Sequence, residues 1–236
     1  MTNKTHTVLP ISNNNWPKLY IETYGCQMNV NDSEVVVSVM QEAGFARCRD
    51  MDQADVILIN TCSIRENAEQ RIKGRLELFH QQKKRKPLLK VGVLGCMAER
   101  LKEELLLHPA VDLVVGPDSY RQLPKLLQIV STEGKQVETP FNYHETYADI
   151  SPVRIDPNSV CAFVSITRGC NNLCAYCIVP LVRGRERSRD PKSIEREVCE
   201  LVSNGYKEVT LLGQNVNSYL WIDPENPTDH LNFARL

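Results

Sequence analysis

The chain has 236 residues, with 28 basic and 29 acidic side chains, so its overall field is weak and a nucleic-acid partner must be met by local patches. Hydrophobic residues make up 42%, which suits one large or two modest packed domains. No apolar run approaches the ~18 residues of a membrane span, and the polar start MTNKTHTVLPISNNNWPK lacks the apolar centre of a secretory signal; residues 1–17 are expected to be a disordered tail of a cytoplasmic protein with no membrane partner.

Residues 18–134 alternate strand-like runs with helical patterns. KLYIETYGC ends at Cys26, ADVILINTC at Cys62 and LLKVGVLGC at Cys96, at spacings of 36 and 34 residues. NDSEVVVSVMQEAG follows the first, with Asp32 or Ser33 as helix cap and Gly44 as stop. ENAEQRIKGRLELFHQQ follows the second, and AERLKEELLLH, ended by Pro109, the third. VDLVVG and DSYRQLPKLLQIVSTEG add a fourth strand and helix. This alternation predicts a parallel α/β sheet with right-handed crossovers. The strands of such a sheet end on one edge, where ligands bind, so three cysteines distant in sequence are expected to converge at one rim. Gly25 and Gly95 would let the backbone approach a bulky inorganic group there. One such cysteine is most simply an inert core thiol; three at the same structural position point to a shared cluster.

Residues 135–159 show no sustained period and are expected to be a linker. From residue 160, VCAFVSITRGC is a strand running into Cys170, SIEREVCELVSNG a helix capped by Ser193 and stopped by Gly205, and KEVTLLG the next strand. DPENP is a turn-rich loop, and HLNFARL the start of a helix. With two strands and one full helix, residues 160–236 are expected to be the first part of a larger unit. Open edges and an unburied apolar face should leave it less protected from hydrogen exchange than residues 18–134, and inactive alone.

Nine cysteines, an odd number, argue against a disulfide framework and for metal or cluster ligation. TRGCNNLCAYC places Cys170, Cys174 and Cys177 in a C-x3-C-x2-C loop between strand and helix. A closed zinc site takes four ligands, and no histidine lies between Tyr147 and His230 to supply the fourth. An iron–sulfur cube on three thiolates keeps one iron open, and a small molecule carrying an amine and a carboxylate can chelate it.

That loop, with Tyr176 before its last cysteine, resembles the radical S-adenosylmethionine superfamily. TYGCQMNVNDSE (23–34), NTCSIRENAEQR (60–71), GVLGCMAER (92–100), SITRGCNNLCAYCIVPLVRGRERSR (165–189) and LLGQNVNSY (211–219) together resemble its methylthiotransferase family over most of residues 18–220. They look most like the branch that acts on isopentenyladenosine in tRNA; sister branches act on threonylcarbamoyl-adenosine in tRNA or on an aspartate of a ribosomal protein. The resemblance implies a flavodoxin-like parallel-sheet domain followed by the start of a partial (β/α) barrel, here truncated. It implies two 4Fe–4S clusters. An auxiliary one on Cys26, Cys62 and Cys96 carries sulfur; the other, on Cys170, Cys174 and Cys177, cleaves S-adenosylmethionine to a 5′-deoxyadenosyl radical. C2 of an anticodon-loop adenosine is then activated and receives the methylthio group. An aromatic C–H is too inert for acid–base chemistry, so the cofactors carry the hard step. Tyr176 is implied against the adenine of S-adenosylmethionine, or as a packed aromatic beside the cluster, and Gly213, Gln214 and Asn215 at its amino group. An electron donor such as flavodoxin or ferredoxin, and a monomeric enzyme, complete the picture.

RGRERSR sets Arg183, Arg185, Arg187 and Arg189 at alternate positions. In an extended chain all four point to one side, and beside the cluster loop they suit RNA phosphates better than bulk solvent. KKRK (83–86) complements a helix dipole, and Cys199 is expected in the core. Two other classes compete: a two-cluster electron carrier, which would normally close all four positions of each cluster, and a zinc-stabilised RNA-binding module.

Overall fold

The computed structural model describes residues 16–63, 66–156 and 158–236; residues 1–15 of the expected tail lie outside them. Strands β1 (Lys18–Thr23), β2 (Ala46–Arg47), β3 (Val56–Thr61), β4 (Lys90–Gly95), β5 (Leu113–Val115) and β6 (Gln136–Glu138) form one parallel sheet in the order β2-β1-β3-β4-β5-β6. β3 and β4 at its centre are buried, and strands covered on both faces read as near-continuous apolar runs. Side chains alternate across the sheet. Leu58 and Leu94 join Val36, Met40 and Leu126 of the layer made by α1 (Gln27–Glu42) and α5 (Leu123–Glu133). Ile57, Ile59, Val91 and Val93 meet Ile72, Leu76 and Phe79 of α2 (Glu66–Arg85) on the other side. Each fully buried side chain of this size contributes ~1.5–3 kcal/mol. The short helices α3 (Cys96–Leu101) and α4 (Glu103–Leu106) connect β4 to β5.

Two expectations fail in this region. α1 begins at Gln27 with Cys26 at its N-cap, so Asp32 and Ser33 are buried within the helix instead of capping it; the polar NVNDS run serves contacts with the rest of the chain. Residues 135–159 are no free linker. They supply β6, and Tyr147 and Ile150 enter the first core layer. Tyr147 stacks on Tyr120 with ring centroids 5.7 Å apart, and its hydroxyl donates to the Pro117 carbonyl at 3.0 Å. Arg154 then bridges Glu34 of α1 and Glu197, at 2.6 and 2.5 Å.

Beyond the bridge, β7 (Cys161–Ser165) runs into β8 (Thr167–Arg168); then come α6 (Val179–Arg183), β9 (Arg187–Ser188), α7 (Pro191–Ser203) and β10 (Glu208–Leu212). β7 and β10 pair in parallel, and Ala162 and Val164 pack with Ile194 and Leu201 of α7 and with Tyr219. This unit does not stand apart. α1 runs against β7, with Asn31 Nδ2 donating to the Phe163 carbonyl at 3.1 Å and Ser165 Oγ 3.6 Å from Met28 Sδ. α7 is capped by Asp190, which accepts from Ser193 N at 2.8 Å, and not by Ser193; Cys199 is exposed on that helix and not in the core. HLNFARL, expected to start a helix, instead forms β12 (His230–Asn232), antiparallel to β11 (Leu220–Ile222), followed by a single 3-10 turn. Among the described residues no helix is long and apolar enough to cross a membrane.

Candidate metal centre

β1, β3 and β4 end side by side, with Thr23 opposite Asn60 and Thr61 opposite Gly95. Each runs into a cysteine: Cys26 caps α1, Cys62 follows β3 and Cys96 opens α3. All three line one cavity of about 270 Å³, together with Asn29, Val179, Val182, Arg183, Gly213 and Gln214. The rim is tight. A Cβ on Gly25, whose φ is +130°, would stand 2.6 Å from Cys62 Cβ, so only glycine lets the first strand end come this near the second cysteine. All nine cysteines are free thiols; Cys62 and Cys96 are buried and Cys26 is exposed.

Among the described residues, no three His, Cys, Asp or Glu side chains are grouped so as to hold a single metal ion, whose ligands must reach one point at ~2.0–2.3 Å. Thiols spread around a cavity suit a larger body that takes one thiolate per iron, and soft sulfur donors favour iron–sulfur clusters. The donor set therefore fits a cluster better than a lone ion.

Arg183, the last residue of α6, lines this cavity. Its Nε donates to Cys96 Sγ at 3.2 Å, and its Nη2 to Asp32 Oδ2 at 2.8 Å and Asn29 Oδ1 at 3.0 Å. Arg168 Nη1 donates to the other Asp32 oxygen at 2.6 Å. One carboxylate thus holds two guanidinium groups, and all three residues are buried. Burial alone would push the Asp32 carboxyl up; Arg168 and Arg183 outweigh it and hold the group below its ordinary value. Burial pushes the Cys96 thiol up, with Arg183 opposing.

The four arginines of RGRERSR do not share one side. α6 ends at Arg183 and Gly184 turns the chain with φ +69°, so alternation in sequence is not alternation in space. Arg187 forks onto Asp118 at 2.7 and 3.0 Å. Arg189 pairs with Glu197 and donates to Ser193 Oγ at 2.9 Å. A buried charge needs a partner, and each of these has one inside the fold. Arg183, Arg187 and Arg189 are therefore not available to RNA; of the four, Arg185 alone is exposed. Asp32, Arg168, Asp118 and Glu197 carry this network and stood outside the expected site residues. Their trace in the sequence is a charge in an apolar setting, such as Arg168 after CAFVSIT and Asp32 shortly before VVV.

Cys170 is buried on a second, open cavity of about 570 Å³, beside Phe141, Tyr143, Leu173, Pro180 and Arg185. Cys174 is exposed, Cys177 is half-buried, and neither lines that cavity. The loop is tied by Cys177 N donating to the Cys174 carbonyl at 3.0 Å. Tyr176 is 92% exposed, so it is not a packed aromatic. Gly213 and Gln214 line the Cys26–Cys62–Cys96 cavity and not the one at Cys170, and Asn215 lines neither.

Residues 18–116 match the model of a family described as Uncharacterized protein family UPF0004, and residues 164–229 that of the Radical SAM superfamily. The chain is 61% identical over 202 residues to a tRNA-2-methylthio-N(6)-dimethylallyladenosine synthase of Bacteroides fragilis, covering 86% of this chain and 44% of that protein. Proteins of the same description from Bacteroides thetaiotaomicron and Amoebophilus asiaticus are 59% and 55% identical, over 88% and 92% of this chain and 46% and 47% of theirs. The chain thus spans a little under half the length of these relatives. A solved structure of the radical S-adenosylmethionine methyltransferase TsrM from Kitasatospora setae, with tryptophan substrate and a SAM analogue bound, matches with a TM-score of 0.56 at 13% identity, over 85% of this chain and 48% of that one; that likeness concerns the fold alone. With the two family regions in this order and relatives of this identity, residues 18–116 belong to the UPF0004 family and residues 164–229 to the Radical SAM superfamily, and the chain is similar over most of its length to part of the tRNA-2-methylthio-N(6)-dimethylallyladenosine synthases.

Proposed function

We propose that the protein carrying these residues methylthiolates C2 of N6-isopentenyladenosine in the anticodon loop of tRNA, with S-adenosylmethionine as co-substrate. The observation that carries this reading is the meeting of Cys26, Cys62 and Cys96, from three strand ends, with Arg183 and Gln214 of the second unit around one cavity. When bound, a 4Fe–4S cluster at Cys170, Cys174 and Cys177 would supply the electron that cleaves S-adenosylmethionine, and one at Cys26, Cys62 and Cys96 would supply the sulfur. The chain's own part is positional. Strand ends hold three of the thiols, Val179 and Val182 give their cavity an apolar wall, and the Arg168–Asp32–Arg183 pairs keep the two units in register. A donor such as flavodoxin or ferredoxin, and a monomeric enzyme in the cytoplasm, belong to the same reading.

The two cysteine sets are expected to separate in the full-length protein. Ala at Cys26, Cys62 and Cys96 should leave reductive cleavage of S-adenosylmethionine intact and abolish sulfur insertion into tRNA; Ala at Cys170, Cys174 and Cys177 should abolish both. Cleavage products and tRNA nucleosides, read by mass spectrometry, decide it. Methylthiolated tRNA from the first triple variant would sink the auxiliary-site assignment.

Arg185 and Arg187 should behave differently with RNA. Arg185→Gln is expected to weaken tRNA binding and reduce the salt slope by about one released counterion. Arg187→Gln should instead lower the unfolding midpoint, because Asp118 loses both its hydrogen bonds from that side chain. An unchanged salt slope for Arg185→Gln would return that side chain to solvent.

A further inference from the structure

We infer that Arg183 is a positioning residue of the Cys26–Cys62–Cys96 site: it fixes a positive charge and an N–H donor on the sulfur of Cys96 and so sets the electron affinity of whatever cluster those thiols hold. The inference rests on the cluster reading above and adds to it a residue from outside the cysteine set.

The geometry is specific. Arg183 is 3% exposed, and its Nε points at Cys96 Sγ from 3.2 Å. The guanidinium cannot easily swing away, because Asp32 and Asn29 also hold its Nη2, and Asp32 is itself held by Arg168. Arg183 also lines the cavity, yet its Nη1 is buried without a hydrogen-bond partner among the described residues. Gln214, which lines the same cavity, likewise has its Oε1 buried and unpartnered. Buried polar groups are rarely left so, and here one donor and one acceptor belong to residues that line the same cavity. Pairing with Asp32 does not by itself account for Arg183, because Arg168 already gives that carboxylate a counter-charge and a second buried cation adds desolvation cost. A fixed cation beside a ligand sulfur stabilises added negative charge, and hydrogen bonds to the sulfurs are among the features that set cluster potentials.

The test uses full-length protein in which Ala replaces Cys170, Cys174 and Cys177, so that one cluster signal remains. Iron and sulfide content comes first; an empty site would defeat the cluster reading itself. With the site loaded, dithionite titration followed by electron paramagnetic resonance compares R183Q and R183K with the parent. R183Q should lower the midpoint by about 59 mV, a tenfold change in the ratio of reduced to oxidised cluster, while R183K, which keeps the charge, should stay much nearer the parent. Equal midpoints for R183Q and the parent at equal iron content would overturn the inference. Should R183Q fail to load, the parent labelled with 15N-arginine decides: a 15N hyperfine coupling to the reduced cluster supports the assignment, and its absence refutes it.

Discussion

Asp32→Ala is expected to destabilise the chain by about 3–5 kcal/mol, the cost of leaving buried charge without its partner. Asp32 is fully buried and bonds Arg168 at 2.6 Å and Arg183 at 2.8 Å. Removing it leaves two guanidinium groups close together in a low dielectric with no shared anion. Urea unfolding should show the midpoint falling by more than about 1 M. Acid gives an independent check. The folded pKa of Asp32 lies below its ordinary value, so its contribution is complete above the unfolded value of ~3.9 and disappears as pH falls through the lower folded value. Wild type and Asp32→Ala should therefore differ fully near pH 6 and approach each other only in strong acid. A loss under about 1 kcal/mol near pH 6 would mean that the two arginines find other partners and that the carboxylate does not join the units.

Gly169→Ala should be nearly as damaging, for a steric reason. Gly169 precedes Cys170 with φ +77°, and a Cβ there would stand 2.1 Å from the Arg185 carbonyl oxygen and 2.6 Å from that of Gly184. Both are backbone atoms and cannot turn aside. The left-handed conformation costs alanine ~1–2 kcal/mol and overpacking a further ~1–3, so a loss of about 2–5 kcal/mol is expected, with faster hydrogen exchange around the Cys170 loop. Gly205→Ala is the matched control, since its φ is +90° but nothing lies within 4 Å of the added methyl; its cost should stay near ~1 kcal/mol. Equal losses at the two positions would remove the contact argument.

The parts of this structure that sequence made legible rest on local pattern. Apolar runs ending in cysteine mark β1, β3 and β4 because central parallel strands are covered on both sides. Helical periods locate α2 and α7 to within a few residues. What stayed hidden depends on contacts between residues far apart. NVNDS looks like a helix start because Asn, Asp and Ser favour caps, whereas here they are buried in α1 against a unit that begins some 130 residues later. Tyr147 lies in a stretch without period, and only the distant Pro117, Tyr120 and Arg168 explain its burial. The arginines at 183, 185, 187 and 189 alternate as a strand would, but the turn at Gly184 sends Arg183, Arg187 and Arg189 to separate carboxylates and leaves Arg185 exposed. The cavity at Cys26 follows from strand order; its far wall, with Gly213 and Gln214, comes from docking that no local signal records.

The position of Asp32 also has a consequence in time. Its two arginines follow it by 136 and 151 residues. At a synthesis rate of about 5–20 residues per second, α1 emerges roughly 7–30 s before Arg168 exists. By the end of that interval every strand and helix of the first sheet has been made, yet the Asp32 carboxylate in α1 still has neither counter-charge. It must stay hydrated, and the face of α1 that later meets β7 must stay open to water. The first of its counter-charges, Arg168, arrives only two residues before Cys170.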